Sequence, residues 1–337
     1  MLFQLKKMLL FGCILGLAAM LGGCGGGGGT ASASSGTGGS TGTTSAVTST
    51  PGQTGLWVMA ATYEAASLFG LHAGSTNLSQ YYSSFNGTQS LNCSSGSGQV
   101  TGTGSTSSFS ISETLHDCVA TPPSGTTPFT SSGSINIGVS SISYSTPTCA
   151  GLQMPDTFTL KYELSNYLLS QSNPTEQISG DGMLTAAETA PSTCDSGILS
   201  IPLTVTIPSA DPFTGQLLLT IPTAAGGQIS ASVTDLTLNE TILFQVGSAG
   251  VVSATVTINS GQFVVNGTPY TISTKIPLTY TSGSGTSGLS GGVLSVTGGN
   301  ESDTFTFLGA GQVQIARTVN GATTTTPSEP LQTYLGL

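Results

Sequence analysis

Charge is the scarcest property of this chain. Only 6% of its 337 residues are charged, five Lys or Arg against 15 Asp or Glu. Two of the five bases, Lys6 and Lys7, precede the first apolar run, so beyond it only Lys161, Lys275 and Arg317 remain. A surface this poor in cations cannot neutralise phosphates, which excludes nucleic acid as a partner. It also excludes a polybasic patch for anionic headgroups. Histidine occurs twice, as His72 and His116, and tryptophan once. That leaves little imidazole for zinc and makes poor aromatic girdles for a transmembrane barrel. Close-spaced C-x-x-C pairs are missing, so no metal centre is expected, and nothing in the pattern calls for a cofactor.

What the chain does have begins at its N-terminus. Lys6 and Lys7 form a short positive region, and the apolar run 8–21 follows with the length of a secretory signal. It falls short of the about 20 residues that span a bilayer. The run ends in Leu21-Gly22-Gly23-Cys24, which resembles the lipobox of bacterial lipoproteins. That resemblance implies diacylglycerol on the Cys24 thiol, cleavage after Gly23 and acylation of the new amino group. It makes 1–23 a signal peptide and anchors the mature chain in a membrane through its acyl chains. Gly25 stands where an aspartate resembles an inner-membrane retention signal, so the likeness implies the outer membrane, with the domain facing the periplasm or the cell surface. Residues 25–55 carry no charge and little to bury; such Gly/Ser/Thr composition makes a flexible tether with a reach of roughly 30 Å.

The remaining 56–337 read as one β-rich domain. Residues 56–71, "LWVMAATYEAASLFGL", are Ala-rich and proline-free, and predict one short helix. After about Gln89 the apolar residues alternate with period two, as in Leu199, Ile201, Leu203, Val205 and Ile207, or Val252, Ala254, Val256 and Ile258. One apolar face and one Ser/Thr-rich face is the pattern of antiparallel sheet. The predicted class is therefore all-β: a long antiparallel meander forming a curved sheet, a half-open barrel or a sandwich.

Asn266-Gly267 and Asn320-Gly321 mark tight hairpins. Parity slips near Val139/Ile142 and Val233/Leu236 predict β-bulges. Segments such as "SSGSINIG", "SGDGMLT", "TGQLLLT" and "SGQFVVN" recur at irregular spacing, and read as hairpin starts. Cys93, Cys118, Cys149 and Cys194 are an even set in an exported chain, hence two disulfides. Three pairings are open, and the sequential one is expected because hairpin partners sit close together. Residues 93–118 with 131–138 also resemble a module of uncharacterised bacterial lipoproteins, which implies a meander and no activity. The order helix then meander is similar, at the level of fold alone, to the half-open barrels of lipoprotein carriers.

No catalytic constellation emerges. Ser290 in "GLSGG" fits G-x-S-x-G, but a nucleophile elbow needs a helix after it and a strand follows. "GSGTSG", 283–288, opens no helix to hold a phosphate. His116, Asp117 and Cys118 are adjacent; on a regular strand His116 and Asp117 face opposite ways, and Cys118 shares the face of His116. Asn300, Glu301 and Asp303 offer too few oxygens for calcium and read as a solvated turn. Asp181 and Asp211 read as turn residues too. The expected protein is thus a non-enzymatic, outer-membrane-anchored lipoprotein whose β domain binds a partner or serves envelope structure. Its candidate partners are a lipid held in a curved sheet, which would make it a hydrophobic-ligand carrier, or an envelope protein; an adhesin-like surface role is the third reading.

Overall fold

The computed structural model describes residues 86–104, 108–120, 128–149, 152–172, 175–219, 229–247, 250–281, 288–309 and 312–330. Cys24, the tether, His72 and the predicted helix 56–71 lie outside the described residues. Every regular element among the described residues is a strand. β1 (Gly87–Ser90), β2 (Ser95–Gly104), β3 (Phe109–Ala120), β4 (Phe129–Cys149), β5 (Leu152–Ser172) and β6 (Thr175–Glu188) each pair with the next, antiparallel throughout. β7 (Thr193–Asp195) forms a hairpin with β8 (Ile198–Ile207) and continues the row of β6. β8 and β9 (Phe213–Leu219) lie end to end, and both pair with β6 on one side and β10 (Ile229–Gly247) on the other. The meander then runs through β11 (Gly250–Val265), β12 (Thr268–Thr281), β13 (Gly288–Gly298), β14 (Glu301–Gly309) and β15 (Gln312–Val319). β16 (Ala322–Thr325) and β17 (Glu329–Pro330) share the last row. Three of the 17 strands continue a neighbour's row, which leaves 14 rows.

The predicted all-β meander is therefore present. The alternation decides its two faces: in β8 the burial pattern is strictly intermediate then buried over ten residues. Leu199, Val205, Leu236, Val256, Phe305 and Val313 retain no exposed surface at all. A single sheet can keep one face this dry only if that face is covered. The buried set runs from Val100 in β2 to Ile315 in β15, and no helix lies among the described residues. This buried face fits a curved sheet or a sandwich. The sheet is not a closed barrel: no described pairing joins β1 to the last row. β4 and β5 have 21 residues each, which makes the middle of the sheet about 70 Å long.

Bulges cross the sheet at one height. Register shifts fall between Leu115 and Cys118 in β3, Ser132 and Ser134 in β4, Leu164 and Tyr167 in β5, and Val233 and Leu236 in β10, each abutting the next pairing. Asp117, Asn166 and Asp235 carry positive φ there, 48°, 49° and 55°, a conformation that Asn and Asp tolerate best after glycine. The parity slip at Val233/Leu236 is one of these bulges, and the slip near Val139 is the shift between Ser140 and Ser143. Of the recurrent Gly segments, "SGSGQVTG" opens β2 and Gly309 of "GAGQVQI" pairs with Gln312 across the β14–β15 hairpin, whereas "SSGSINIG", "SGDGMLT" and "SGQFVVN" are not hairpin starts. Gly133, Gly180, Gly182, Gly215 and Gly261 lie within strands; a Cβ on Gly133 would strike the bulge at Asn166, one on Gly180, Gly182 or Gly215 would strike Phe213, and one on Gly261 would strike Ile272. Asp181 likewise sits inside β6, not in a turn, and its carboxylate accepts from the backbone N–H of Asn166. Asp211 does occupy a turn, the excursion 208–212 between β8 and β9, where its N–H donates to the Pro208 carbonyl at 3.2 Å. Both Asn-Gly pairs are hairpin turns with φ of 49° and 82° at Asn266-Gly267 and 50° and 82° at Asn320-Gly321, the geometry of type I′.

The disulfides join Cys93 to Cys118 and Cys149 to Cys194, the sequential pairing. They close segments separated by 25 and 45 residues, for which loop-closure entropy gives about 3–4 kcal/mol each. Replacing Cys149 and Cys194 together by serine is expected to lower the unfolding free energy by that amount, read by urea titration. An unchanged midpoint would mean that the β4–β5 hairpin end needs no clamp.

Candidate functional site

Four carboxyl groups lie on the inner face. Glu113, Glu240, Glu301 and Asp303 are all buried, each at an inward position of an otherwise apolar stripe. Glu113 stands between Ile111 and Leu115, Glu240 between Leu238 and Ile242, and Asp303 between Glu301 and Phe305. Across the strands Glu240 faces Val205 of β8 and Ile258 of β11. Among the described residues neither of its carboxyl oxygens has a hydrogen-bond partner. Burial alone pushes this carboxyl up to about 8, because a lone charge in apolar surroundings costs more than a proton. Glu240 is therefore neutral at pH 7.

At the far end of the sheet Arg317 donates through Nε to Glu301 Oε1 at 2.6 Å. Asp303 faces Arg317 in register. Burial first, then the charge of Glu301, pushes Asp303 up to about 7, and Arg317 works against both. Tyr270, stacked on Phe263 with centroids 5.4 Å apart, is raised by burial and by the same two carboxylates. A third group joins Glu113 to Tyr162 and Tyr167, whose phenols are raised by burial; the charge of Glu113 pushes both further, and at Tyr162 the neighbouring Tyr167 adds more than Glu113 does. Glu240 and Asp303 have no exposed surface, whereas Arg317 keeps 38% of its side chain exposed and brings the Glu301 cluster to the surface. Among the described residues no group of three or more His, Cys, Asp or Glu is placed to hold a metal ion.

The residues singled out by sequence fare differently. Glu301 and Asp303 are not part of a solvated turn; only Asn300 is, and the two acids enter β14 facing the core with Phe305 and Phe307. His116 and Cys118 do not share a face. The bulge at Asp117 inserts one residue, so His116 and Asp117 are both exposed and Cys118 turns inward to its disulfide. Asp117 is held by Ser132, which donates to its Oδ1 at 2.8 Å and accepts from its N–H at 3.0 Å. Ser290 lies in β13 with no helix after it, and its hydroxyl is 3.2 Å from the Thr279 carbonyl and 3.1 Å from Thr279 Oγ1. Residues 283–287 lie outside the described residues.

Comparison with protein-family models, with curated proteins and with solved structures returns no match. Among the described residues the exposed side chains are those of the outer face. Hydroxyls pair across neighbouring strands there: Thr88 with Thr101 at 2.9 Å, Thr103 with Ser110 at 2.8 Å, Thr297 with Ser302 at 3.2 Å and Thr318 with Thr323 at 2.8 Å. Leu243, Ile276 and Leu308 are the large apolar side chains exposed on it among the described residues. Sequence reasoning missed Glu240 and Glu113 altogether. The available signal was parity, since both break an apolar stripe at its inward step.

Proposed function

We propose that this is a non-enzymatic lipoprotein of the bacterial outer membrane, held by acyl chains on Cys24, whose rigid β domain offers its outer face for binding or for envelope structure. The observation that carries the reading is the division of the sheet. Its inner face is packed, so contact with another molecule falls to an outer face rich in Ser and Thr and poor in cations. A carrier of lipid in an open lumen would leave lining residues accessible, whereas Val205, Val256 and Phe305 have no exposed surface. The acids of the inner face, Glu240 and Asp303, have no exposed surface. A domain about 70 Å long on a tether of roughly 30 Å reaches well away from a membrane, which suits a spacer or a surface-binding module.

The full chain, expressed in a bacterium, fractionated and analysed by intact mass, tests this. The expected result is a triacylated mature chain beginning at Cys24 in the outer-membrane fraction, with no further lipid bound in stoichiometric amount. Cys24→Ala is expected to move the protein out of the membrane fraction. An unacylated, soluble wild-type chain would overturn the anchor, and a second, noncovalent lipid in fixed ratio would favour the carrier.

A further inference from the structure

Asn266-Gly267 and Asn320-Gly321 are the same dipeptide in the same type of turn, at nearly identical dihedrals, but in unequal places. Asn-Gly is a reactive pair because glycine carries no side chain to shield its backbone nitrogen from the preceding amide. That nitrogen can attack the Asn Cγ: a ring N–C bond forms, the bond from Cγ to the side-chain nitrogen breaks, and ammonia leaves with the proton of the attacking nitrogen. Water then opens the imide at either carbonyl, giving aspartate or isoaspartate. The ring cannot close while the turn holds both residues at positive φ. The rate therefore follows the fraction of time each turn is open, and local opening is cheapest at exposed, sparsely packed ends.

The turn at Asn266 is fastened to a central strand. Its N–H donates to the Ser232 carbonyl at 3.0 Å, and its Oδ1 accepts from the Ser232 N–H at 3.0 Å. Ser232 belongs to β10, 19 residues long with paired rows on both sides. The turn at Asn320 is held only by another turn: its N–H donates to the Asn300 carbonyl at 3.1 Å and its Oδ1 accepts from Asn300 Nδ2 at 2.8 Å. Beyond it lies β16, four residues, all exposed, in the outermost described row. The third such bond, Asn86-Gly87, precedes β1 and lies in no two-residue turn.

We propose that Asn320 is a site of spontaneous deamidation, and that the isoaspartyl product releases the last row from β15. Isoaspartate adds a methylene to the main chain, which a two-residue turn cannot absorb without losing its register. The row it frees is a protective one. β16 covers Ala316–Val319, Thr326 closes on Ile315 through its N–H at 2.9 Å and its hydroxyl at 3.1 Å, and Pro327 and Pro330 blunt the outer side. With it gone, the edge of β15 is bare and pairs with other copies.

The test ages the folded full-length protein at mildly alkaline pH and maps isoaspartate and aspartate at both turns by peptide mass spectrometry. Conversion at Asn320 is expected on the order of tenfold faster than at Asn266, since ~1.4 kcal/mol in opening free energy makes that ratio. In urea with the disulfides reduced the two rates are expected to converge. Equal rates in the folded protein, conversion at neither turn, or a ratio that persists in urea overturns the site. The aged isoaspartyl fraction is expected to lose amide protection over β15 and to self-associate on size exclusion. A monomer with unchanged protection there overturns the release.

Discussion

Urea unfolding is expected to show this chain losing about 1.4 kcal/mol of stability for each pH unit between the ordinary glutamate value of 4.5 and the value of about 8 that burial gives Glu240. In that window the folded state keeps a proton on Glu240 that the unfolded chain has released, so rising pH favours unfolding. The contribution is fully present below 4.5, and on the order of 5 kcal/mol has gone once pH passes about 8. Asp303 adds a loss of the same sign that ends near 7. Glu240→Gln removes the titration and is expected to leave only the slope from Asp303. Glu240→Met does the same and fills the space between Val205 and Ile258 with an apolar side chain. It is expected to unfold about 1–4 kcal/mol later than the native chain at pH 8. A native profile that is flat or rises over this range would mean that Glu240 finds a partner or water on the inner face.

Much of this architecture is legible in the sequence because period-two alternation is a local property. Leu199, Ile201, Leu203, Val205 and Ile207 announce a strand with a buried face without reference to any other segment. Asn266-Gly267 and Asn320-Gly321 announce their turns equally locally. The slip at Val233/Leu236 is readable as a bulge for the same reason. What could not be read are features decided by a strand that is remote in sequence. A Ser-Gly pair looks the same whether glycine makes a turn or yields space to a neighbour, and for Gly133 the neighbour is Asn166. Parity also misleads across a bulge: the positive φ of Asp117 reverses the faces expected for His116 and Cys118. The acids were obscured by composition, since "GGNESD" reads as a polar turn although Glu301 and Asp303 keep step with Phe305 and Phe307. The candidate site fares worst, because burial of Glu240 is a property of β8, β10 and β11 together.

The seam of bulges leads to the second large effect: Gly133→Ala is expected to destabilise the fold by about 4 kcal/mol or more, or to prevent recovery of folded protein. Gly133 has φ of 99°, a region that costs an L-residue about 1–2 kcal/mol before any contact is counted. A Cβ built on it would stand 2.2 Å from the Asn166 carbonyl oxygen and 2.7 Å from the Tyr167 Cα. Those atoms are backbone, part of the bulge in β5, and cannot step aside without breaking the pairing that carries the seam from β4 to β6. Gly138, five residues further along β4, supplies the control. A Cβ there meets nothing within 4 Å and its φ is unremarkable, so Gly138→Ala is expected to be neutral or to stabilise by roughly 0.4–1 kcal/mol through the unfolded chain. Urea midpoints of the two variants, with both disulfides intact, separate the explanations. If both alanines are tolerated alike, the bulge at Asn166 is soft and the seam bends freely. If only Gly133 fails, the glycine is there because the neighbouring strand has taken the space its side chain would need.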